Sequence, residues 1–224
     1  MNIFTKLFHN KNTQSKQTTE PLSLSSIPIN VLAIADLHTT TYREIERIIE
    51  IEKEEDYDCV ILLGDICRED AEKIAENADE PCFCVSGNHD KVGQYDGIRN
   101  LEDIDGKTVV VNGVRISGVS GSLRYKPGDF CMRTEDEVRE VLSGIGNTDI
   151  LVSHESPYHL MSPNKTHGGF LAISDFLKEK KPKVHLFGHH HEPYEEMRDD
   201  VYEICVYKVG IFRGEDGKMT WINV

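Results

Sequence analysis

The sequence predicts an α/β protein: a two-sheet β-sandwich flanked by helices, with a parallel-rich N-terminal half and antiparallel C-terminal hairpins. Three observations lead there. From Ile27 to Ser86, short continuous apolar runs alternate with amphipathic stretches, the pattern of parallel strands joined by right-handed helical crossovers. Later the chain turns to β-rich runs broken at Asn112-Gly113 and at Glu215-Asp216-Gly217, as hairpins are. Finally, 224 residues that are 38% hydrophobic and 29% charged can bury one sizeable core and are too apolar for a chain disordered throughout.

Each element follows in order. Val31-Leu32-Ala33-Ile34-Ala35 is apolar without interruption, as a strand covered on both faces must be. Tyr42 to Glu55 sets Ile45, Ile48, Ile49 and Glu52 at helical spacing among Glu and Arg, which makes an amphipathic helix. Cys59 to Leu63 is a second buried strand. Arg68 to Ala78 is a shorter helix carrying Ala71, Ile74, Ala75 and Ala78, and Pro81 to Ser86 is a third strand. Thr108 to Ser117 is a hairpin turning at Asn112-Gly113, the strongest short hairpin signal. Thr134-Glu135-Asp136-Glu137 matches a capping box and opens a helix through Val138, Val141 and Leu142. Asp149 to Ser153 is a strand, Phe170 to Lys180 a helix and Lys183 to Phe187 a strand. Tyr202 to Phe212 and Lys218 to Val224 form a last antiparallel pair.

Residues 1–26 read differently. Asn10 to Glu20 contains no apolar residue and cannot repay its ordering entropy. The segment is expected to be a disordered polar tail before one domain over residues 27–224. Lys6, Lys11 and Lys16 against Glu20 give it +2, so the chain's −14 leaves −16 for the remainder. Such an acidic balance argues against sequence-independent binding of duplex nucleic acid. It also means that an anion handled here needs a local cation, which makes metal ligands worth seeking. No apolar run approaches the roughly 18 residues of a membrane span. The first residues lack a secretory pattern, and the six cysteines read as free thiols of a reducing cytosol, so a cytoplasmic location is expected. Cys82 and Cys84 alternate onto one face of their strand. That suits a metal pair, but no second pair at zinc-site spacing accompanies them, so both are read as core.

The residues that carry chemistry fall in one kind of place. Strand one ends in Asp36-Leu37-His38, strand two in Gly64-Asp65 and strand three in Gly87-Asn88-His89-Asp90. A later strand ends in Ser153-His154, and another in Gly188-His189-His190-His191. Sites in open α/β sheets form at the carboxyl ends of strands. Singly, each piece also has a plain structural explanation as a cap, a turn or a surface histidine; five in order do not.

In that order the pieces resemble the calcineurin-like metallophosphoesterase superfamily, whose pattern is Asp-x-His, Gly-Asp, Gly-Asn-His-Asp/Glu, His and Gly-His-x-His. The motifs run across residues 36–191, and the likeness is expected to reach from Ile27 to Val224. It implies a sandwich holding two divalent ions (Mn, Fe, Zn, Co or Ni). Asp36, His38 and His191 would bind the first, Asn88, His154 and His189 the second, and Asp65 would bridge them. An oxygen and imidazole donor set without thiolate suits such ions. The resemblance further implies hydrolysis of a small phosphate ester, more in the manner of a compact phosphodiesterase, by metal-activated hydroxide. His89 resembles the family's catalytic histidine that is not a ligand, a donor to the leaving oxygen. Asp90 would either hold the His89 ring or cap a helix. His190 is expected to face away from the metals. His159, His167, Arg124, Tyr125 and Lys126 are loop residues that could reach substrate. Two stretches differ from many small members. Val206 to Arg213 stands where an Asn-Pro-Gly-Ser turn is common, and Arg68 follows Asp65 by three residues where four is common.

Overall fold

The computed structural model describes residues 27–38, 40–158 and 168–224. The expected polar tail, His159 and His167 lie outside the described residues. Two six-stranded sheets and four helices make up the described chain, with one short extra strand pair. In the first sheet, β1 (Asn30–Ala35), β2 (Cys59–Leu62), β3 (Cys82–Cys84) and β4 (Leu101–Asp103) run parallel. On the β1 edge, β13 (Lys208–Arg213) and β14 (Lys218–Ile222) add antiparallel strands. The second sheet has the order β11 (Tyr194–Arg198), β12 (Val201–Cys205), β10 (Val184–Phe187), β9 (Ile150–Ser153), β6 (Val114–Val119), β5 (Thr108–Val111). β7 (Ser122–Leu123) and β8 (Met132–Arg133) form the small separate pair.

Strand alternation divides the core. Ala33, Ile61 and Phe83 of the first sheet meet Ile116, Val152 and Leu186 of the second in one buried cluster. Their neighbours Leu32, Ile34, Val60 and Leu62 face outward onto Ile45, Ile48, Ile74 and Ala75 of α1 (Tyr42–Glu54) and α2 (Arg68–Asn77). Leu151 of the second sheet likewise packs with Val138 and Leu142 of α3 (Glu135–Gly144) and Ile173, Phe176 and Leu177 of α4 (Leu171–Lys180). Each large apolar side chain of these clusters contributes about 1.5–3 kcal/mol by leaving water. The layers are therefore helix, sheet, sheet, helix. The capping box at Thr134 is present, its hydroxyl accepting from the Glu137 N–H at 3.3 Å. Cys82 and Cys84 lie together in the core beneath α1 and α2, and all six cysteines are free. Among the described residues no helix is long and apolar enough to cross a membrane.

The structure departs from the sequence reading at the end of the chain. Tyr202 to Phe212 is not one strand. β12 ends at Cys205 in the second sheet, and β13 starts at Lys208 in the first. Val206 and Tyr207 carry the chain between the layers, and Lys208 turns it at φ 60. Both halves are apolar with the same alternation, so nothing in the pattern marks the break. β11 is hidden in the sequence for the opposite reason: Glu195, Glu196 and Arg198 make it look like a loop, yet charges are usual on an edge strand. It joins β12 through Asp199 and Asp200, at φ 49 and 72, as in a tight hairpin. Parallel pairing also extends past the N-terminal half, since β6, β9, β10 and β12 are mutually parallel neighbours.

Glu52 on α1 is buried, and among the described residues neither of its carboxylate oxygens has a hydrogen-bond partner. Burial pushes its pKa from 4.5 up to about 8; Asp79 adds to this and Lys53 opposes it. The folded state thus holds a proton that the unfolded chain releases near pH 4.5. Its contribution is present below that pH and is lost as the pH rises towards about 8. Glu52→Gln should stabilise the protein at pH 8 by an amount on the order of 1–3 kcal/mol and leave it nearly unchanged at pH 4.5. Urea melts of both proteins at the two pH values test this; equal gains at both would refute it.

Candidate metal centre

The five motif segments converge at one end of the sandwich because they follow strands whose carboxyl ends point the same way. Backbone bonds tie the segments directly. The Asp36 N–H donates to the Gly64 carbonyl at 3.1 Å, and the Gly188 N–H to the His154 carbonyl at 3.1 Å. Four of the expected ligands occupy left-handed backbone conformations: Asp36, Asp65, His189 and His191 at φ 58, 56, 72 and 55. For residues with a Cβ this costs on the order of 1–2 kcal/mol each, so the surroundings must enforce it. They do so with buried carboxylates. Asp36 Oδ2 accepts from the His189 N–H at 2.9 Å. Asp90 Oδ2 accepts from the N–H groups of Asp65 at 2.8 Å and Gly87 at 2.7 Å.

The side chains gather around two carboxylate oxygens. Asp36 and Asp65 are both buried, and among the described residues Asp36 Oδ1 and Asp65 Oδ2 have no hydrogen-bond partner. His191 Nε2 lies 3.4 Å from Asp36 Oδ1, and Asp36 holds the His191 pKa above its ordinary value. His154 Nε2 is 3.5 Å from Asp65 Oδ2. His38 Nδ1 and His89 Nε2 are each 3.9 Å from the same oxygen. Two groups bring one donor atom per residue within 4.8 Å of each other: Asp36, His38 and His191, and Asp36, Asp65 and His154. Asp36 belongs to both groups, and Asp65 lies in the second beside His154.

Asn88 and His154 carry a second signature. His154 Nδ1 lies 2.7 Å from the Leu63 carbonyl, so Nδ1 holds the hydrogen. The Asn88 amide nitrogen donates to the Tyr125 hydroxyl at 3.1 Å, which turns its oxygen to His154 Nε2 at 3.0 Å. In the neutral ring that places a nitrogen lone pair against a carbonyl oxygen, an arrangement that needs a shared proton or a cation. Burial opposes charge on His154, and Asp65 and Asp36 outweigh it, so its pKa is raised.

His189 belongs to neither tight group. Its ring stands 5.0 Å from that of His154, with Nε2 3.5 Å from Glu155 Oε2. Glu155 is fully buried, and burial pushes its pKa up to about 7. In the sequence Glu155 carries no signal beyond its place after His154. Asp90 does not hold the His89 ring. Its partners are the two N–H groups above, Tyr95 Oη at 2.9 Å and Gln94 Nε2 at 2.9 Å, so it braces the Gly64-Asp65 and Gly87-Asn88 turns against each other. Burial and the Asp65 charge raise the Asp90 pKa. His89 is exposed and stacks on His38 at 4.8 Å. Burial of part of the ring lowers its pKa, with Asp65 opposing and His38 and Lys126 assisting.

Of the remaining candidates, His190 turns to Ser156 Oγ at 2.8 Å, away from Asp36 and Asp65. Arg68 donates to the Gln94 and Asp96 carbonyls. Arg124 is held by Glu137 and the Met132 carbonyl, so it is no free clamp. Tyr125 touches the site through Asn88, and Lys126 lies over the Phe130 ring at 4.2 Å.

A family model, the calcineurin-like phosphoesterase, matches residues 29–193. Solved structures with the same fold include the protein TT1561 of Thermus thermophilus, at 13% identity and a TM-score of 0.69, covering 87% of this chain and 98% of that one. A phosphopantetheinyl hydrolase from Mycobacterium tuberculosis has 16% identity and a TM-score of 0.58 over 80% and 89% of the two chains. An archaeal phosphodiesterase has 18% identity and a TM-score of 0.55 over 87% and 99%. No curated protein matches the chain.

The close packing of the turns yields a test. A Cβ on Gly87 would press on Asp65 Oδ1 and stand 2.7 Å from the His154 ring and 2.8 Å from Asp65 Cγ. Gly87→Ala should destabilise the fold by roughly 1–3 kcal/mol. Gly144→Ala, with nothing within 4 Å of the new atom, should be neutral or slightly stabilising. Thermal melts compare them; a Gly87→Ala protein as stable as the wild type would contradict the packing described.

Proposed function

The chain belongs to the calcineurin-like phosphoesterase family and is a phosphoric ester hydrolase; we propose that it is a phosphodiesterase that works with two divalent metal ions. One observation carries the metal assignment. Asp36 Oδ1 and Asp65 Oδ2 are buried acceptors without a hydrogen-bond partner among the described residues, with one imidazole nitrogen 3.4 Å from the first and others 3.5 and 3.9 Å from the second. Burying such an anion unpaired is costly, and a cation between oxygen and imidazole removes the cost. The donors are carboxylate, amide and imidazole with no thiolate, which fits Mn, Fe, Co, Ni or Zn.

In this reading Asp36, His38 and His191 hold one ion. Asn88, His154 and His189 hold the other, and Asp65 lies between. When bound, the ions would polarise the phosphoryl oxygens and supply hydroxide at neutral pH. The chain's own groups do the rest. The Leu63 carbonyl fixes the His154 tautomer so that Nε2 is the free donor. Glu155 faces His189 Nε2 and orients that ring. His89, next to Asn88 and open to solvent, donates a proton to the leaving oxygen. The diesterase preference rests on the open mouth: His38, His89 and His191 are all exposed, leaving room for ester groups on both sides of phosphorus.

The test is hydrolysis by Mn²⁺-reconstituted protein of bis(p-nitrophenyl) phosphate against p-nitrophenyl phosphate. The diester should be cleaved faster and chelation should abolish both rates; a faster monoester would reverse the assignment. His89→Ala should lower turnover by roughly 10²–10⁴ with metal content unchanged. The loss should be larger for an alkoxide leaving group than for nitrophenolate. Equal losses would remove the acid role.

A further inference from the structure

A cavity of about 760 Å³ opens between the β7–β8 loop and the chain that follows Asp90, lined by Lys91, Arg124, Lys126, Asp129, Phe130 and neighbours. That volume suits a small organic ligand of nucleotide size. Its walls are the loop between β7 and β8 and the chain just after Gly87-Asn88-His89-Asp90. The two are bound together along their length. The Asn88 side chain donates to Tyr125 Oη at 3.1 Å. The Cys131 N–H donates to the Asp90 carbonyl at 2.9 Å, and the Val92 N–H to the Asp129 carbonyl at 3.1 Å. Lys91 and Phe130 pair across the gap. The walls of the cavity therefore continue, through Tyr125 and Asp90, into the segment that carries Asn88 and His89.

The lining has the wrong sign for the rest of the protein. In a chain of net charge −14, Lys91, Arg124 and Lys126 face the cavity against the single carboxylate of Asp129 among its described lining. Arg124 already shares its charge with Glu137. Among the described residues, Lys91 and Lys126 have no carboxylate partner at ion-pair distance. Lys126 instead rests its ammonium on Phe130 at 4.2 Å and near Tyr125 at 5.2 Å. Rings of this kind position a lysine without neutralising it, so its N–H donors remain available to an anion.

We propose that this cavity is the leaving-group pocket and that the alcohol it receives carries a phosphate of its own. The inference rests on the phosphodiesterase reading above and narrows it to nucleotide-like diesters with an additional terminal phosphate. The scissile phosphorus lies at the Asp36–Asp65 centre, and Lys126 and Lys91 take the second phosphate.

The full-length protein, reconstituted with Mn²⁺, is tested on a dinucleoside monophosphate and on the same compound phosphorylated at its 5′ or its 3′ end. One phosphorylated form should be preferred by about tenfold or more in kcat/KM, the usual worth of a charge-assisted contact. Lys126→Ala and Lys91→Ala should each erode that preference, mainly through KM, and Lys126→Arg should retain it. No preference in the wild type, or one that survives both alanine variants within twofold, overturns the proposal. Calorimetric binding of thymidine 3′,5′-bisphosphate against thymidine 5′-monophosphate separates the two claims. If the wild type cleaves no diester yet binds the bisphosphate more tightly, and Lys126→Ala loses that margin, the pocket stands and the diesterase reading falls. Equal affinities overturn the pocket.

Discussion

Asp36 and Asp65 each bury a carboxylate with one oxygen satisfied by a backbone N–H and the other aimed at histidine. The rest of the structure follows from accommodating that pair. A protein interior does not tolerate two unpaired negative charges, so the fold surrounds them with imidazoles and with donors fixed in place. The residues that follow the strands are bent into left-handed conformations at Asp36, Asp65, His189 and His191. Those conformations are held by Asp90 and by bonds between motif segments from both sheets. Strain of this kind persists where the surroundings over-determine it. Here the four packed layers are what make the surroundings rigid enough.

Much of this was legible in the chain. The buried strands announced themselves as uninterrupted apolar runs, as at Val31 to Ala35. The amphipathic helices showed in their spacing, and the metal-competent residues showed in their position after strands. Illegible were features without a local signal. The break at Val206 and Tyr207 is a choice between two sheets that present the same apolar alternation to the chain. β11 is an edge strand whose charges mimic a loop. Asp90 reads as a helix cap or a partner of His89, and only the folded chain shows it binding two turns that are 22 residues apart in sequence, at Asp65 and Gly87. Glu155 likewise gains meaning only from the ring of His189 across the site.

The same geometry explains how an acidic protein can attract an anionic ester. Net charge repels the substrate at long range, but the Debye length of about 8 Å at physiological salt confines that effect to the approach. Inside the mouth the cations on the β7–β8 loop and the proposed ions set the sign of the field. The loop is bonded to the Asn88 segment, so the proposed substrate contacts and the proposed metal ligands share one connected piece of chain. A change in either is therefore expected to be felt by the other.

The central claim is that the unpartnered oxygens of Asp36 and Asp65 exist to hold a pair of cations. Anomalous diffraction at the manganese edge, from crystals grown with Mn²⁺, addresses it directly. The account predicts two peaks about 3.5–4 Å apart, flanking Asp65, with Asp36 and His191 at one and His154 and Asn88 at the other. A single peak, or peaks away from these residues, would contradict it.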